Sequence, residues 1–294
     1  MQDLFQTIVN GLLMGGIYSI ASIGLTIIFG TIKIVNFAHG EFIMVGMYFT
    51  YLTWSLFGGL DPFIGMAFTL PAMFIFGAAC YLFVIEPILM GKKNDASLIF
   101  ATVGLSLFLQ NVALLLFTAN YRSVKTVYTG KALEIIGISV SVPRLLAFLV
   151  ALVLSVLLTL FLQRTFIGKA IRASAQDRQV AMLMGINPRK VFVLTMGIGA
   201  MMAGVAGAVV MPFLYVFPSV GISFGLLSFV VAIVGGLGNL KGAFFCGLII
   251  GVTEALGTHY ITADSGLLLA FLLLVVVLIF RPEGLCPQIV RKGG

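Results

Sequence analysis

The feature that most constrains this chain is a succession of apolar runs, each close to the length of a bilayer crossing and separated by few polar residues. An α-helix needs about 20 apolar residues to cover roughly 30 Å of hydrocarbon at 1.5 Å per residue. Such runs fall at 8–30, 40–57, 62–85, 97–118, 143–163, 190–211, 222–238, 242–260 and 264–280. Several are short or interrupted by glycine. The expectation is an all-α polytopic membrane protein with eight or nine transmembrane segments, some broken or re-entrant. Composition agrees, since only 9% of the residues are charged and 61% are hydrophobic. Soluble domains carry about a quarter charged residues, so a water-facing surface cannot be built from so few. The 34 glycines would each cost roughly 1 kcal/mol relative to alanine in a soluble helix. In membrane helices they let backbones approach closely. The spacings Gly11/Gly15, Gly221/Gly225, Gly238/Gly242 and Gly247/Gly251 are read as helix packing, or as part of a subunit interface, rather than as substrate contacts.

The formal charge of +7 does not point to nucleic acid, because the cations are scattered over short loops and form no surface that could track phosphates. They instead suit a basic cytoplasmic face. The densest stretch is 164–190, with Arg164, Lys169, Arg172, Arg178, Arg189 and Lys190 against the single acid Asp177. The 91–96 loop adds Lys92 and Lys93, and the tail adds Arg281, Arg291 and Lys292. These are expected inside. The 119–142 stretch, where Arg122, Lys125 and Lys131 are diluted by Glu134 and by Ser, Thr and Val, is expected outside. Counting back through three spans puts the N-terminus outside, and a broken first or second span would put it inside. Met1-Gln2-Asp3 has no basic flank and the first apolar run is long, so a removed signal peptide is not expected.

Catalytic and metal chemistry find no support in the residue pattern. Cys80, Cys246 and Cys286 pair at no metal-ligand spacing and form no disulfide framework. His39 and His259 are far apart. His39-Gly40-Glu41 places an imidazole and a carboxylate two residues apart, on different faces of a helix. No Gly-x-x-x-x-Gly-Lys-Ser/Thr loop occurs, so nucleotide hydrolysis is not expected on this chain. No cofactor is expected.

Three interruptions stand out. The run from Lys33 to Glu41 places Lys33, Asn36, His39 and Glu41 between two apolar stretches with almost no room for a loop. Gly235 to Gly242 is a second polar, glycine-rich break. Met211-Pro212 to Phe217-Pro218 is a proline-bounded turn. Short interrupted segments in corresponding places of two halves point to a transport path at a repeat interface, and the first two breaks are the candidate pair. Charged groups held at mid-bilayer cost about 3 kcal/mol on insertion scales and usually serve function. Asn36, His39 and Glu41 are therefore candidate pathway or gating residues. The alternative is a structural turn capping two half-helices, with Lys33 snorkelling.

The 164–190 loop has structure of its own. Ser174-x-x-Asp177 resembles a capping box. Val180, Ala181, Leu183 and Met184 supply an apolar stripe. Gly185 can end the helix in the left-handed conformation, and Asn187-Pro188 blocks its return. The expectation is a helix of about ten residues, read either as an interfacial helix on anionic lipid or as a docking helix for a cytoplasmic partner.

Four stretches carry a family resemblance: Asn10-Gly11-Leu12-Leu13-Met14-Gly15-Gly16-Ile17-Tyr18-Ser19-Ile20, Ile34-Val35-Asn36-Phe37-Ala38-His39-Gly40-Glu41-Phe42, Gly168-Lys169-Ala170-Ile171-Arg172-Ala173 with Ala181 and Gly185-Ile186-Asn187, and Arg281-Pro282-Glu283-Gly284-Leu285. The whole chain resembles permease subunits of branched-chain amino-acid ABC importers of the LivH type. Urea-type permeases of the same family share the Asn-x-Ala-His-Gly-Glu core, so this segment leaves urea or short amides open as substrates. The resemblance implies one transmembrane permease domain over 1–294 in a bacterial inner membrane. It also implies a second, LivM-like permease, two cytoplasmic ATPases, a periplasmic substrate-binding protein and surrounding lipid. It places an ATPase-coupling helix within 164–190, with Gly168, Ala173, Asp177, Ala181 and Gly185 at the matching positions. A passive channel, the remaining rival, would not need a capped cytoplasmic docking helix.

Overall fold

The computed structural model describes residues 2–91, 95–135 and 137–286. Lys92, Lys93, Arg291 and Lys292, which entered the charge reading, lie outside the described residues. Among the described residues the elements are α1 (Gln2–Ile32), α2 (His39–Leu56), α3 (Pro62–Cys80), a π-helical turn (Tyr81–Ile85), α4 (Glu86–Met90), α5 (Asp95–Phe117), β1 (Ala132–Ile135), β2 (Ile138–Ser141), α6 (Val142–Arg164), α7 (Phe166–Gln176), α8 (Arg178–Leu183), α9 (Pro188–Val210), α10 (Val220–Gly235), α11 (Leu240–Tyr260) and α12 (Ser265–Phe280). Among the described residues six helical stretches are long and apolar enough to cross a membrane: Gln2–Ile32, Pro62–Met90, Ala96–Phe117, Val142–Arg164, Pro188–Val210 and Leu240–Tyr260. Val220–Gly235 and Ser265–Phe280 are shorter apolar helices. The helical, membrane-borne character of the chain thus follows the apolar runs. The fold is not purely helical, because the 119–142 stretch contains an antiparallel hairpin pairing Ala132 with Ser141 and Ile135 with Ile138. The left-handed Gly137 sits in its turn, and its short alternating strands lie outside any apolar run, where hydropathy gives no signal.

Side-chain caps set where several helices begin. Asp61 accepts from the Phe63 amide at 2.9 Å and Asn187 accepts from the Arg189 amide at 3.0 Å, each just before a proline at the first helical position. Such caps satisfy amides that have no intrahelical partner. Asn187-Pro188 therefore starts α9 as well as separating it from α8.

α1, α9 and α11 form the core. Gly11 and Gly15 of α1 face Gly251 and Gly247 of α11 so closely that a Cβ on Gly15 would sit 2.7 Å from the Gly247 carbonyl oxygen. Ser19 Oγ donates to the Phe244 carbonyl across the same seam at 2.8 Å, and Gly30 meets Gly238 at its end. The two helices run antiparallel. The glycine spacings act as helix packing, as expected of small residues at membrane helix contacts.

The long helices and their connections sort into two ends. One holds the hairpin, tied to α1 by two hydrogen bonds, Gln6 Nε2 donating to the Ser139 carbonyl at 2.6 Å and the Ser139 amide donating to Gln6 Oε1 at 2.7 Å, together with a short pairing of Arg122 with Val216. The other holds Glu86 beside Arg189, the α7–α8 loop, and the tail, where Asn239 Nδ2 donates to the Cys286 carbonyl at 2.7 Å. Of the described cations only Arg122, Lys125, Lys131 and Arg144 belong to the hairpin end. Lys33, Arg164, Lys169, Arg172, Arg178, Arg189, Lys190, Lys241 and Arg281 belong to the basic end.

Candidate functional site

The break after α1 is a return path. α1 ends at Ile32, Lys33 takes a left-handed φ of 60°, and the chain runs without regular structure to Asn36 and turns through Phe37 and Ala38 into α2. His39, the first residue of α2, binds the Ala21 carbonyl through Nε2 at 2.8 Å. Ala21 lies eleven residues, or about 16 Å, back from the end of α1. The six residues between the helices, spanning at most about 3.3 Å each, can climb that far even with a turn at their end. α2 therefore begins near the middle of the protein's depth. α10 begins at the same level: Phe224 lies beside Tyr18, with ring centroids 6.3 Å apart, and Gly221 and Gly225 pack on Gly40. Two helix N-termini thus converge near mid-depth, one belonging to a helix rising to the hairpin end and one to a helix descending to the basic end.

This pairing differs from the one expected. The break at 33–41 meets the helix that follows the proline-bounded turn at 211–218, not the break at 235–242. The latter sits at the basic end, where Asn239 caps α11 through the Gly242 amide at 3.1 Å and Leu285 donates to the Val234 carbonyl at 2.8 Å. Glycine content alone cannot separate a mid-depth break from a tight turn at a helix end.

The three candidate pathway residues take different positions. Asn36 is buried, and its Oδ1 accepts from the Ala38 amide at 3.1 Å, shaping the turn that starts α2. His39 is buried against α1 and α9, with its ring edge near Gly24. Glu41 points the other way. Its Oε1 accepts from Ser106 Oγ at 3.3 Å and from Gln110 Nε2 at 3.2 Å. Its Oε2 has no hydrogen-bond partner and faces Gly221. Of the three, Glu41 alone lines a cavity of about 490 Å³ between α2, α5, α10 and α12. Small-molecule sites span about 300–1,000 Å³. Phe37 and Phe229, with centroids 5.5 Å apart, form one wall.

Sequence reasoning missed Ser106 and Gln110. Their signal was present: two hydrogen-bonding side chains four residues apart in an apolar run share a helix face, and polar groups inside a membrane helix seldom face lipid. Gly221 and Gly225 belong both to the helix contact and to the cavity wall, so the packing reading was incomplete.

Above the cavity, toward the hairpin end, Arg122 joins three elements. It donates to Tyr51 Oη at 3.1 Å and to the Phe117 carbonyl at 3.0 Å, and its backbone pairs with Val216 just before α10. The Tyr121 and Phe217 rings lie against each other beside the bridge, tilted at 55° with centroids 4.9 Å apart.

The 164–190 loop forms two helices instead of the single ten-residue helix expected from Ser174. Thr165 caps α7 by accepting from the Gly168 amide at 3.0 Å, and the strong helix formers after it carry α7 through Ser174, which is buried within it. Asp177 breaks the helix with an extended backbone. Its Oδ1 then caps α8 by accepting from the amides of Gln179 at 2.8 Å and Val180 at 3.0 Å. The capping-box reading was one turn early, since local spacing cannot say which of two oxygen-bearing side chains takes the cap. Gly168 packs on the last turn of α6, where a Cβ would strike Leu162 and the Phe161 carbonyl. Ala173 gives its carbonyl to the Asp177 amide, and Ala181 is buried and accepts from Ile186 at 3.0 Å. Gly185 is left-handed at φ 80°, as expected. Of the apolar stripe only Ala181 is buried, whereas Val180, Leu183 and Met184 are exposed.

This loop is fastened to the π-helical turn and to α4. Arg178 lies over the Phe192 ring at 5.0 Å, and Phe192 meets Tyr81 of the π-helical turn edge-on. Arg189 forks onto the buried Glu86, with Nε 2.5 Å from Oε1 and Nη2 3.1 Å from Oε2. Arg189→Ala should lower the melting temperature by a few degrees, because it strands a buried carboxylate. Glu86→Gln combined with Arg189→Met should recover most of the loss. Melting curves of the singles and the double provide the check, and purely additive shifts would mean that the pair does not couple the two elements.

Comparison with known proteins bears on this arrangement. The chain is 34% identical over 291 residues to the high-affinity branched-chain amino acid transport system permease protein BraD of Pseudomonas aeruginosa, covering 95% of this chain and 94% of that protein. It is 32% identical over 295 residues to the corresponding permease protein LivH of Salmonella typhimurium, with the same coverage. In fold it is similar to a chain of the structure of PsaBC from Streptococcus pneumoniae in complex with Fab. That likeness has a TM-score of 0.51 and 16% identity, and covers 93% of this chain and 91% of that one. Residues 7–278 match the family model described as branched-chain amino acid transport system / permease component. The glycine seam, the residues lining the cavity and the α7–α8 loop all lie inside that match, and the chain belongs to this family of permeases.

Proposed function

We propose that this chain is the transmembrane permease subunit of an ATP-driven importer that carries leucine, isoleucine and valine into the cytoplasm. The observation that carries the reading is the near full-length similarity to branched-chain amino acid permeases, supported by a cavity at mid-depth whose lining is apolar apart from Glu41 and Ser106. On this reading the chain is one permease domain that crosses a bacterial inner membrane nine times, α2 and α10 beginning within the bilayer. The basic end is cytoplasmic, as the distribution of lysine and arginine favours. A second permease of the LivM kind, two cytoplasmic ATPases that hydrolyse ATP and a periplasmic binding protein complete the importer. α8 is the coupling helix. Its exposed Val180, Leu183 and Met184 suit a groove on an ATPase, and Gly168, Ala173, Asp177, Ala181 and Gly185 set its geometry. Asn36 and His39 hold the start of α2, and Glu41 serves the pathway. Urea or a short amide is a less good fit, because the cavity wall is mainly aliphatic and aromatic.

Deletion of this chain should abolish high-affinity accumulation of radiolabelled leucine, and restoring it should return uptake that unlabelled isoleucine and valine inhibit and urea does not. Uptake inhibited by urea and indifferent to isoleucine and valine would overturn the substrate assignment. Glu41→Gln should lower uptake severalfold without lowering the amount of protein in the membrane. Full uptake in that variant would remove Glu41 from the pathway.

A further inference from the structure

We infer that the Glu41 cavity is a binding subsite for an aliphatic ammonium group, in which the permease itself, and not only its binding protein, recognises the charged nitrogen of its substrate. The inference rests on the import reading above and deepens it. Glu41 is 2% exposed, and a carboxylate so placed is unfavourable unless its surroundings compensate. Compensation here is partial. Ser106 and Gln110 both serve Oε1, and Glu41 lies in the first turn of α2, where the positive end of the helix favours negative charge. Oε2 receives nothing. Among the described residues no cation is found in the cavity lining.

The remaining wall specifies the rest of the ligand. Phe37, Val103, Ile222, Leu226 and Phe229 give an apolar surface beside the carboxylate, the arrangement that suits a branched aliphatic chain carrying one ammonium. An ammonium has three donors and no acceptor, so it would complete Oε2 without disturbing the bonds of Ser106 and Gln110. A carboxylate solute without nitrogen would instead set two like charges together. A helix-packing role alone does not account for the feature, because the contact between α2 and α10 is made by Gly40, Gly221 and Gly225 and needs no acid.

The test uses the permease assembled with its co-encoded partner subunits in lipid nanodiscs, without binding protein. Ile222→Cys, in the cavity wall, is labelled with a small methanethiosulfonate in the presence of leucine, isopentylamine or 4-methyl-2-oxopentanoate. Leucine and isopentylamine should slow labelling at least several-fold, and the oxo acid should not. Glu41→Gln should abolish protection by the amine, and Glu41→Asp should retain part of it. Equal protection by the oxo acid, amine protection that survives Glu41→Gln, or no amine protection at all would overturn the subsite. The comparison of amine with oxo acid stands without the Glu41 variants if these fail to fold. Leucine uptake measured in parallel separates the two readings: normal uptake without amine protection removes the subsite and leaves the importer, whereas absence of uptake for every branched-chain amino acid removes the importer.

Discussion

Gly40→Ala is expected to abolish uptake and to lower the melting temperature of the protein, although it adds a single methyl group. A Cβ at this position would lie 2.8 Å from the Cα of Gly225 and closer still to the carbonyl oxygen of Gly221. Both are backbone atoms of α10, so no side chain can rotate out of the way. The converging helix starts must separate, at a cost of roughly 1–3 kcal/mol for overpacking. The same separation moves Glu41 away from Gly221 and reshapes the cavity, so transport should suffer more than stability. Gly104→Ala is the control. Gly104 lies within α5 with nothing within 4 Å of its would-be Cβ, and alanine gains about 1 kcal/mol of helix propensity there. Its uptake should equal that of the parent protein. Thermal unfolding followed by size-exclusion chromatography, together with leucine uptake, provides the check. A Gly40→Ala protein with unchanged melting and uptake would show that the two helices are not held together at this point.

The second large effect concerns α8. Asp177→Lys removes the side-chain oxygen that accepts two amides and puts a cation at the positive end of the helix. The cap is worth about 1 kcal/mol and the charge reversal about 0.3–1 kcal/mol more, against a helix of six residues. Gly185→Val places a β-branched residue at φ 80°, which costs about 1–2 kcal/mol. Nothing lies within 4 Å of the Gly185 Cβ position, so the strain falls on the backbone of the loop and leaves the core untouched. Both variants should assemble and melt close to the parent. ATP hydrolysis should persist while uptake per ATP hydrolysed falls several-fold. A variant that assembles and pumps at the parental ratio of substrate to ATP would refute the assignment of α8 as the coupling element.

Hydropathy made the helical layout of this chain legible because a bilayer-length helix writes its boundaries directly into composition. Each expected apolar run, from 8–30 to 264–280, corresponds to a helix or to the α3–α4 stretch with its π-helical turn. The left-handed Gly185 was legible too, since local backbone chemistry alone selects glycine there. The hairpin was not, because four-residue strands outside the apolar runs carry no periodic signal strong enough to notice. The capping of α8 by Asp177 rather than Ser174 was decided by a competition between two adjacent helices, which spacing within one helix does not express.

By itself the sequence determined that the chain is a bundle of apolar helices, that its basic loops share one side, and that a polar run at 33–41 interrupts the series. Only the tertiary structure decided what that interruption does. Its Asn36 and His39 bond to backbone, Ala38 in one case and Ala21 in the other, and so fix where α2 begins. Glu41 is free to face a cavity because Gly40 lets α10 begin against it. Three residues that look alike in sequence, polar groups in an apolar setting, are separated by which helix each one meets. That depends on contacts between segments some 180 positions apart, such as Gly40 with Gly221, and no local pattern encodes a contact of that range.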